Sequence, residues 1–271
     1  MLTKILLTGL ITLLSACGGG GFDPIVTQIQ AQSLRYGQTA TIDIAGKFLR
    51  NDMVADTGTC TAPSFSSVST PDHAVLNCKV TATGALPITL KAANGAVLIS
   101  TTLTVLQPQV TMITSKGTVV MELYPAQVPT TVNNFLRYVG SGFYTSTLFH
   151  RVIAGFVVQG GGYTTAMVKK TGQLAPIALE SNKGLPNTRS TVAMARTNVP
   201  DSATSEFFVN LADTPTLDYR SEASPGYAVF GKVVAGMEVV DAIAAEPTTT
   251  VNGVTDIPAT DVTISFAVQS Q

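Results

Sequence analysis

The feature that most constrains this chain is the two-residue period of its apolar positions across residues 25–105. The runs Thr39 to Ile44, Ala74 to Val80, Ile88 to Lys91 and Val97 to Ser100 each alternate apolar with polar side chains, which is the signature of strands with one buried face. No amphipathic helical stretch interrupts them. Asn94-Gly95, between the last two runs, signals a two-residue hairpin. Residues 25–106 are therefore expected to form a small antiparallel β-sandwich, loosely immunoglobulin-like. They hold no ligand constellation, so a spacer and a module for a partner not yet known both stay open.

Pro108 stops the preceding strand, and the pattern restarts after it, placing a second domain at residues 110–271. Met112-Ile113 and Val119 to Leu123 read as a strand pair turning at Ser115-Lys116-Gly117. Beyond Pro129, the residues Val132, Phe135, Leu136 and Val139 fall at i, i+3, i+4 and i+7, an amphipathic helix with Gly140 placed to end it. A second helix is expected from Met237 to about Ala245, after Gly236. Between the helices lie strands and glycine-rich corners, a pattern that suggests a closed antiparallel barrel with helices over its ends.

The first sixteen residues read as a targeting segment: Lys4, the apolar run Ile5 to Leu14, then Ser15-Ala16. Leu14-Ser15-Ala16-Cys17 resembles a bacterial lipobox, so Cys17 is expected to carry a lipid anchor to the membrane, and residues 17–24 to form a flexible tether. This implies a periplasmic lipoprotein of the cell envelope. Gly18 lacks the aspartate that retains many such proteins in the inner membrane, which favours the outer one. With Cys17 set aside, Cys60 and Cys78 make an even pair in an oxidising compartment, so a disulfide is expected, two buried free thiols being the alternative. His73 and His150 are the only histidines and no Cys-x-x-Cys occurs, so no metal site is expected. A formal net charge of −1 without a basic run excludes a nucleic-acid footprint.

The densest chemistry lies in Phe149 to Gly162. Folded as a hairpin centred on Gly155, this stretch sets Arg151 opposite Gln159 and Ile153 opposite Val157, all on one face. An arginine and an amide above an aliphatic surface suit a carbonyl or amide in a partly dry groove. By itself the pattern is a weak signal, because an isolated strand arginine is more often a solvated face than a catalyst.

The stretch Phe149-His150-Arg151-Val152-Ile153, with Gly155-Phe156 and Gln159-Gly160-Gly161, resembles the cyclophilin signature. So do Thr191 to Arg196, Asp201 to Asn210, Leu217-Asp218 and Gly226 to Val233, in the family's order over about residues 110 to 268, nearest to its bacterial periplasmic members. The resemblance implies an eight-stranded barrel with two helices, no cofactor, and proline-containing polypeptide as substrate. It sets the catalytic arginine on Arg151 and its orienting glutamine on Gln159. The proline pocket falls on Phe156, Val157, Phe208, Leu217 and Tyr227, with Ala195 and Arg196 where substrate backbone is contacted. Strand alternation supports one part of this by itself: Phe207 and Phe208 must face opposite ways, so one can line a pocket while the other fills the barrel. His150 reads as structural, since the isomerase chemistry needs no proton shuttle.

Glu206, Thr216 and Val157 depart from the common family residues, which bears on pocket depth, substrate preference and binding of the macrocycle cyclosporin. A non-catalytic envelope chaperone or scaffold using the barrel to dock proline-containing peptides is the competing reading. A hydrolase lacks its Gly-x-Ser-x-Gly elbow.

Overall fold

A computed structural model describes residues 22–66, 70–251 and 253–271. The targeting segment and Cys17 lie outside the described residues.

Seven strands precede the proline junction: β1 (Ile25–Ser33), β2 (Thr39–Lys47), β3 (Val54–Asp56), β4 (Cys60–Phe65), β5 (His73–Val80), β6 (Gly84–Lys91) and β7 (Val97–Val105). They form two antiparallel sheets ordered β1-β2-β5-β4 and β3-β6-β7, the strand order of a constant-type immunoglobulin sandwich. The two-residue period decides what lies between the sheets. Ala40, Ile42 and Ile44 of β2 meet Ala74, Leu76 and Cys78 of β5 on one side, with Leu86, Ile88 and Leu90 of β6 on the other, all essentially inaccessible. The expected two-residue turn is instead a five-residue loop, Ala92 to Ala96. Gly95, at φ +86°, donates its N–H to the Ala92 carbonyl, and Asn94 Oδ1 accepts from Ala96 N. Lys91 pairs with Val97 across a register shift that absorbs the extra residues.

Cys60 and Cys78 are joined by a disulfide between neighbouring strands of one sheet, not between the sheets. Closing a loop of 18 residues constrains the unfolded chain by about 3 kcal/mol in the entropy model. Reduction should lower the denaturant midpoint of the sandwich and spare the barrel. An unaltered midpoint would contradict a stabilising role.

The barrel strands are β8 (Gln109–Thr114), β9 (Gly117–Leu123), β10 (Thr147–Ile153), β11 (Val157–Gly160), β14 (Thr191–Met194), β15 (Phe207–Asn210), β16 (Val229–Ala235) and β19 (Thr263–Gln269). They close in the order β10-β11-β15-β14-β16-β9-β8-β19. Two short ribbons decorate the barrel: β12 (Tyr163–Thr164) with β13 (Val168–Lys169), and β17 (Thr248–Val251) with β18 (Val254–Pro258). Helices α1 (Pro129–Gly140) and α2 (Met237–Ala244) pack their apolar faces on it. Phe135 of α1 anchors the interior, its ring 4.9 Å from Phe230, 5.3 Å from Tyr144 and 5.6 Å from Phe207.

Both ends of α1 depend on residues outside the periodic run. Val128 offers no side-chain cap, and the first-turn N–H groups of Thr130 and Thr131 donate to the Glu180 carboxylate at 3.2 and 2.8 Å. Negative charge there also opposes the positive end of the helix dipole. Gly140 is not the terminator; it is the last helical residue. Gly142, at φ +70°, reverses the chain, with Gly142 N bonded to Val139 O and Phe143 N to Tyr138 O in a Schellman arrangement.

The sandwich touches the barrel through the loop after β1. Arg35 Nη1 donates to the Gln269 carbonyl at 3.1 Å, Gln38 Nε2 donates to Gln269 Oε1 at 2.8 Å, and Gln269 Nε2 donates to the Tyr36 carbonyl at 3.1 Å. Tyr36 is buried against the barrel's own core.

Candidate active site

In the β10–β11 hairpin Arg151 lies opposite Gln159 and Ile153 opposite Val157, the pairing that the Gly155-centred fold predicts. One step earlier the register changes: Phe149, rather than Arg151's regular neighbour in the alternation, pairs with Gly160. A strict period of two would send Phe149 and Arg151 to the same side. The bulge at His150 resets it, so Phe149 and Val152 both enter the barrel core while Arg151 points outward.

From Arg151 a single row crosses the barrel wall. Arg151 pairs with Gln159, Gln159 with Phe208, Phe208 with Ala193, and Ala193 with Val229. Val157, Phe208, Ala193 and Val229 form an apolar floor separate from the barrel interior, with Phe156, Leu185, Ala195, Leu217 and Tyr227 packed around it. Phe207, one residue away, belongs to the interior, as alternation requires. Every expected pocket residue is thus in one cluster. Leu185, Ala193 and Val229 were missed by the sequence reading; period two counted from Phe208's cross-strand partners identifies Ala193 and Val229, whereas Leu185 comes from an irregular loop with no such signal.

Tyr227 walls the floor beside Phe208. Its ring sits edge-on to Phe208 at 5.6 Å, and the Arg196 guanidinium lies 4.7 Å from the Tyr227 ring centroid as a cation–π contact. Arg196 Nε donates to Gly226 O at 3.0 Å and Nη1 to Thr197 O at 2.8 Å, so this side chain braces the wall. Ala195 N–H is likewise engaged, donating to the Glu206 carbonyl at 2.9 Å. Gly226, at φ +62°, permits the wall's close approach, since a Cβ there would lie 2.5–2.6 Å from the backbone of Leu217, Asp218 and Tyr219. Thr216 is exposed on the short turn Pro215–Leu217.

Arg151 Nη1 donates to Gln159 Oε1 at 3.4 Å, its one hydrogen bond among the described residues, which leaves the rest of the guanidinium fork unengaged beside the floor. Gln159 Nε2 donates to Glu206 Oε2 at 2.9 Å, and the same oxygen lies 3.2 Å from Nε2 of buried His150. Burial works to raise the Glu206 carboxyl, but the hydrogen bond and charge of His150, the Gln159 hydrogen bond and the nearby Lys169 outweigh it and hold the group below the ordinary glutamate value. Glu206 therefore sits behind Gln159 and not in the pocket. A cavity of about 900 Å³ between the Arg35–Gln38 loop, α1 and β19 shares no residue with this cluster. The chemistry identifies the site here and the larger cavity does not: a cation with donors unengaged among the described residues stands at the rim of a buried apolar floor.

Similar proteins carry the same barrel. A sequence model of the family described as cyclophilin type peptidyl-prolyl cis-trans isomerase/CLD matches residues 109–268. A peptidyl-prolyl cis-trans isomerase of Streptomyces antibioticus is 50% identical over 156 residues, covering 57% of this chain and 93% of that protein. Peptidyl-prolyl cis-trans isomerase B of Escherichia coli is 44% identical over 164 residues, covering 60% of this chain and 99% of its own. The crystal structure of a cyclophilin type isomerase of Cryptosporidium parvum in the presence of the dipeptide Ala-Pro superposes with a TM-score of 0.50 at 26% identity, covering 60% of this chain and 99% of that one. The strands β1–β7 lie outside the matched span. On the barrel order, the Arg151 row and these matches together, the chain belongs to the cyclophilin-type peptidyl-prolyl cis-trans isomerase family.

Proposed function

We propose that this protein isomerises X-Pro bonds of exported polypeptides in the cell envelope, held there by lipid on Cys17, with Arg151 as the catalytic donor. The observation that carries the reading is the row Arg151–Gln159–Phe208, which sets an underused guanidinium beside a buried apolar floor. Uncatalysed rotation about X-Pro takes tens to hundreds of seconds, over a barrier of about 20 kcal/mol, because twisting breaks amide resonance. No covalent bond is made or cleaved. Val157, Phe208, Phe156 and Leu217 grip the proline ring and displace the water that favours the planar amide. As the amide twists, its nitrogen gains a lone pair. An Arg151 N–H donates to that lone pair, which exists in the twisted state and scarcely in the planar one, so the interaction lowers the barrier rather than the ground state. Exchange spectroscopy of a proline-containing peptide with the intact protein tests the reading; cis and trans signals that exchange no faster than in free peptide would refute it.

The domain limits that fit this reading are 25–106 for the sandwich and 110–271 for the isomerase, with the sandwich as a spacer or a partner-binding module. The lipobox-like sequence and the glycine tether support an anchored placement, and Gly18 favours the outer membrane. No helix among the described residues is long and apolar enough to cross a membrane. Cys17→Ser should therefore leave the protein soluble or its leader uncleaved in fractionated cells, whereas a wild-type mature N-terminus without lipid by mass spectrometry would end the lipoprotein reading.

A further inference from the structure

We propose that Glu206 is a positioning residue that keeps Arg151 aimed at the apolar floor by locking the Gln159 amide in one orientation, an inference that rests on the isomerase reading above. A side-chain amide has a donor end and an acceptor end, and exchanging them would turn the Gln159 NH₂ toward Arg151, setting donor against donor. An ionised carboxylate only accepts. With Glu206 Oε2 at 2.9 Å, Gln159 must present Nε2 to it, and Oε1 is left to accept from Arg151 Nη1 at 3.4 Å. A glutamine at position 206, which carries both a donor and an acceptor, imposes no such polarity.

The carboxylate is itself held. His150 Nε2 lies 3.2 Å from the same oxygen, and the imidazole is packed 4.6 Å from the Tyr163 ring. Gly162 makes the space, because a Cβ there would meet Glu206 Cδ and Oε1 at 2.6 Å. The charged or titratable groups facing Glu206 are His150 on β10, Tyr163 on β12 and Lys169 on β13, with Arg151 beyond Gln159. Burial and the Glu206 charge push the Tyr163 hydroxyl up, so it stays neutral. The Glu206 carboxyl is held below its ordinary value, so the lock is complete at neutral pH and is lost as pH falls through that lowered value. Protonated Glu206 can donate, and the polarity of the Gln159 amide is then released.

A double-mutant cycle on the intact protein tests this, read by peptide exchange spectroscopy with circular dichroism confirming the fold. Gln159→Ala and Glu206→Ala should each lower kcat/KM about tenfold, and the double variant should fall no further than Gln159→Ala alone, because both remove one device. Losses that multiply would overturn the proposal. Over about pH 3 to 7 the wild type should lose turnover on the acid side, while Glu206→Gln, of nearly equal volume, should be flat; an acid limb retained in Glu206→Gln would also overturn it. The Gln159 side-chain ¹⁵N–¹H signals, recorded without substrate, should titrate with Glu206. A Gln159 amide indifferent both to pH and to Glu206→Ala defeats the inference even if the protein proves inactive, whereas inactivity with a titrating amide defeats only the isomerase reading.

Discussion

Arg151→Ala is expected to cut proline-isomerase turnover by orders of magnitude while peptide affinity falls far less. The guanidinium stands at the edge of the floor and not within it, so truncation leaves Val157, Phe208, Leu217 and Tyr227 in place to hold the proline. On the proposed mechanism what disappears is the donor that meets the twisted nitrogen, an interaction made in the transition state, and such losses appear in kcat. Charge alone does not substitute. Arg151→Lys keeps the positive charge but lacks the planar fork that can donate to Gln159 with one N–H and to substrate with another, so it should also remain well below wild type. Exchange rates and peptide titrations on folded variants separate the two quantities. A folded Arg151→Ala protein with near wild-type turnover would move catalysis elsewhere and favour a peptide-binding scaffold.

The adjacent phenylalanines should fail in different ways. Phe207 is fully buried among Phe135, Tyr144 and Phe149, with ring separations of 5.5–6.1 Å, so Phe207→Ala leaves a cavity that the closed barrel cannot collapse to fill. The expected cost is about 3–5 kcal/mol, much of the stability of an ordinary domain. Phe208 faces the outer floor, where its neighbours Phe156, Leu217 and Tyr227 are only partly buried and can move inward. Phe208→Ala should cost less stability, and its main effect should be weaker peptide binding and lower kcat/KM. Denaturant melts and kinetics on both variants provide the check, and equal stability losses with equal kinetics would contradict the division of the two faces.

Much of this architecture is legible in the sequence because it is periodic or local. Alternation at Ile42, Ile44, Leu76 and Ile88 specified the sandwich, and the i, i+3, i+4, i+7 spacing from Val132 specified α1. The pairing of Arg151 with Gln159 followed from a glycine corner and a period of two. The family signature then brought Phe156, Phe208, Leu217 and Tyr227 to the same place, although no single local pattern joins them.

Other features became visible only in three dimensions. The bulge at His150 breaks the period that sequence reading relies on, yet it is what lets Phe149 fill the core while Arg151 faces the pocket. The carboxylate that caps α1 comes from Glu180, in a loop 49 residues beyond Thr131, and helix termination passed from Gly140 to Gly142 because the required backbone is left-handed only at the latter. Glu206 reads in sequence as a departure from the family and in space as the partner of Gln159 and His150. Sequence by itself determined which side chains share a face wherever the strand or helix runs unbroken, because that geometry repeats with short, fixed periods. Tertiary structure alone decided which polar groups meet across loops: a hydrogen bond depends on distance and direction between chain-remote atoms, and no period in the sequence encodes either.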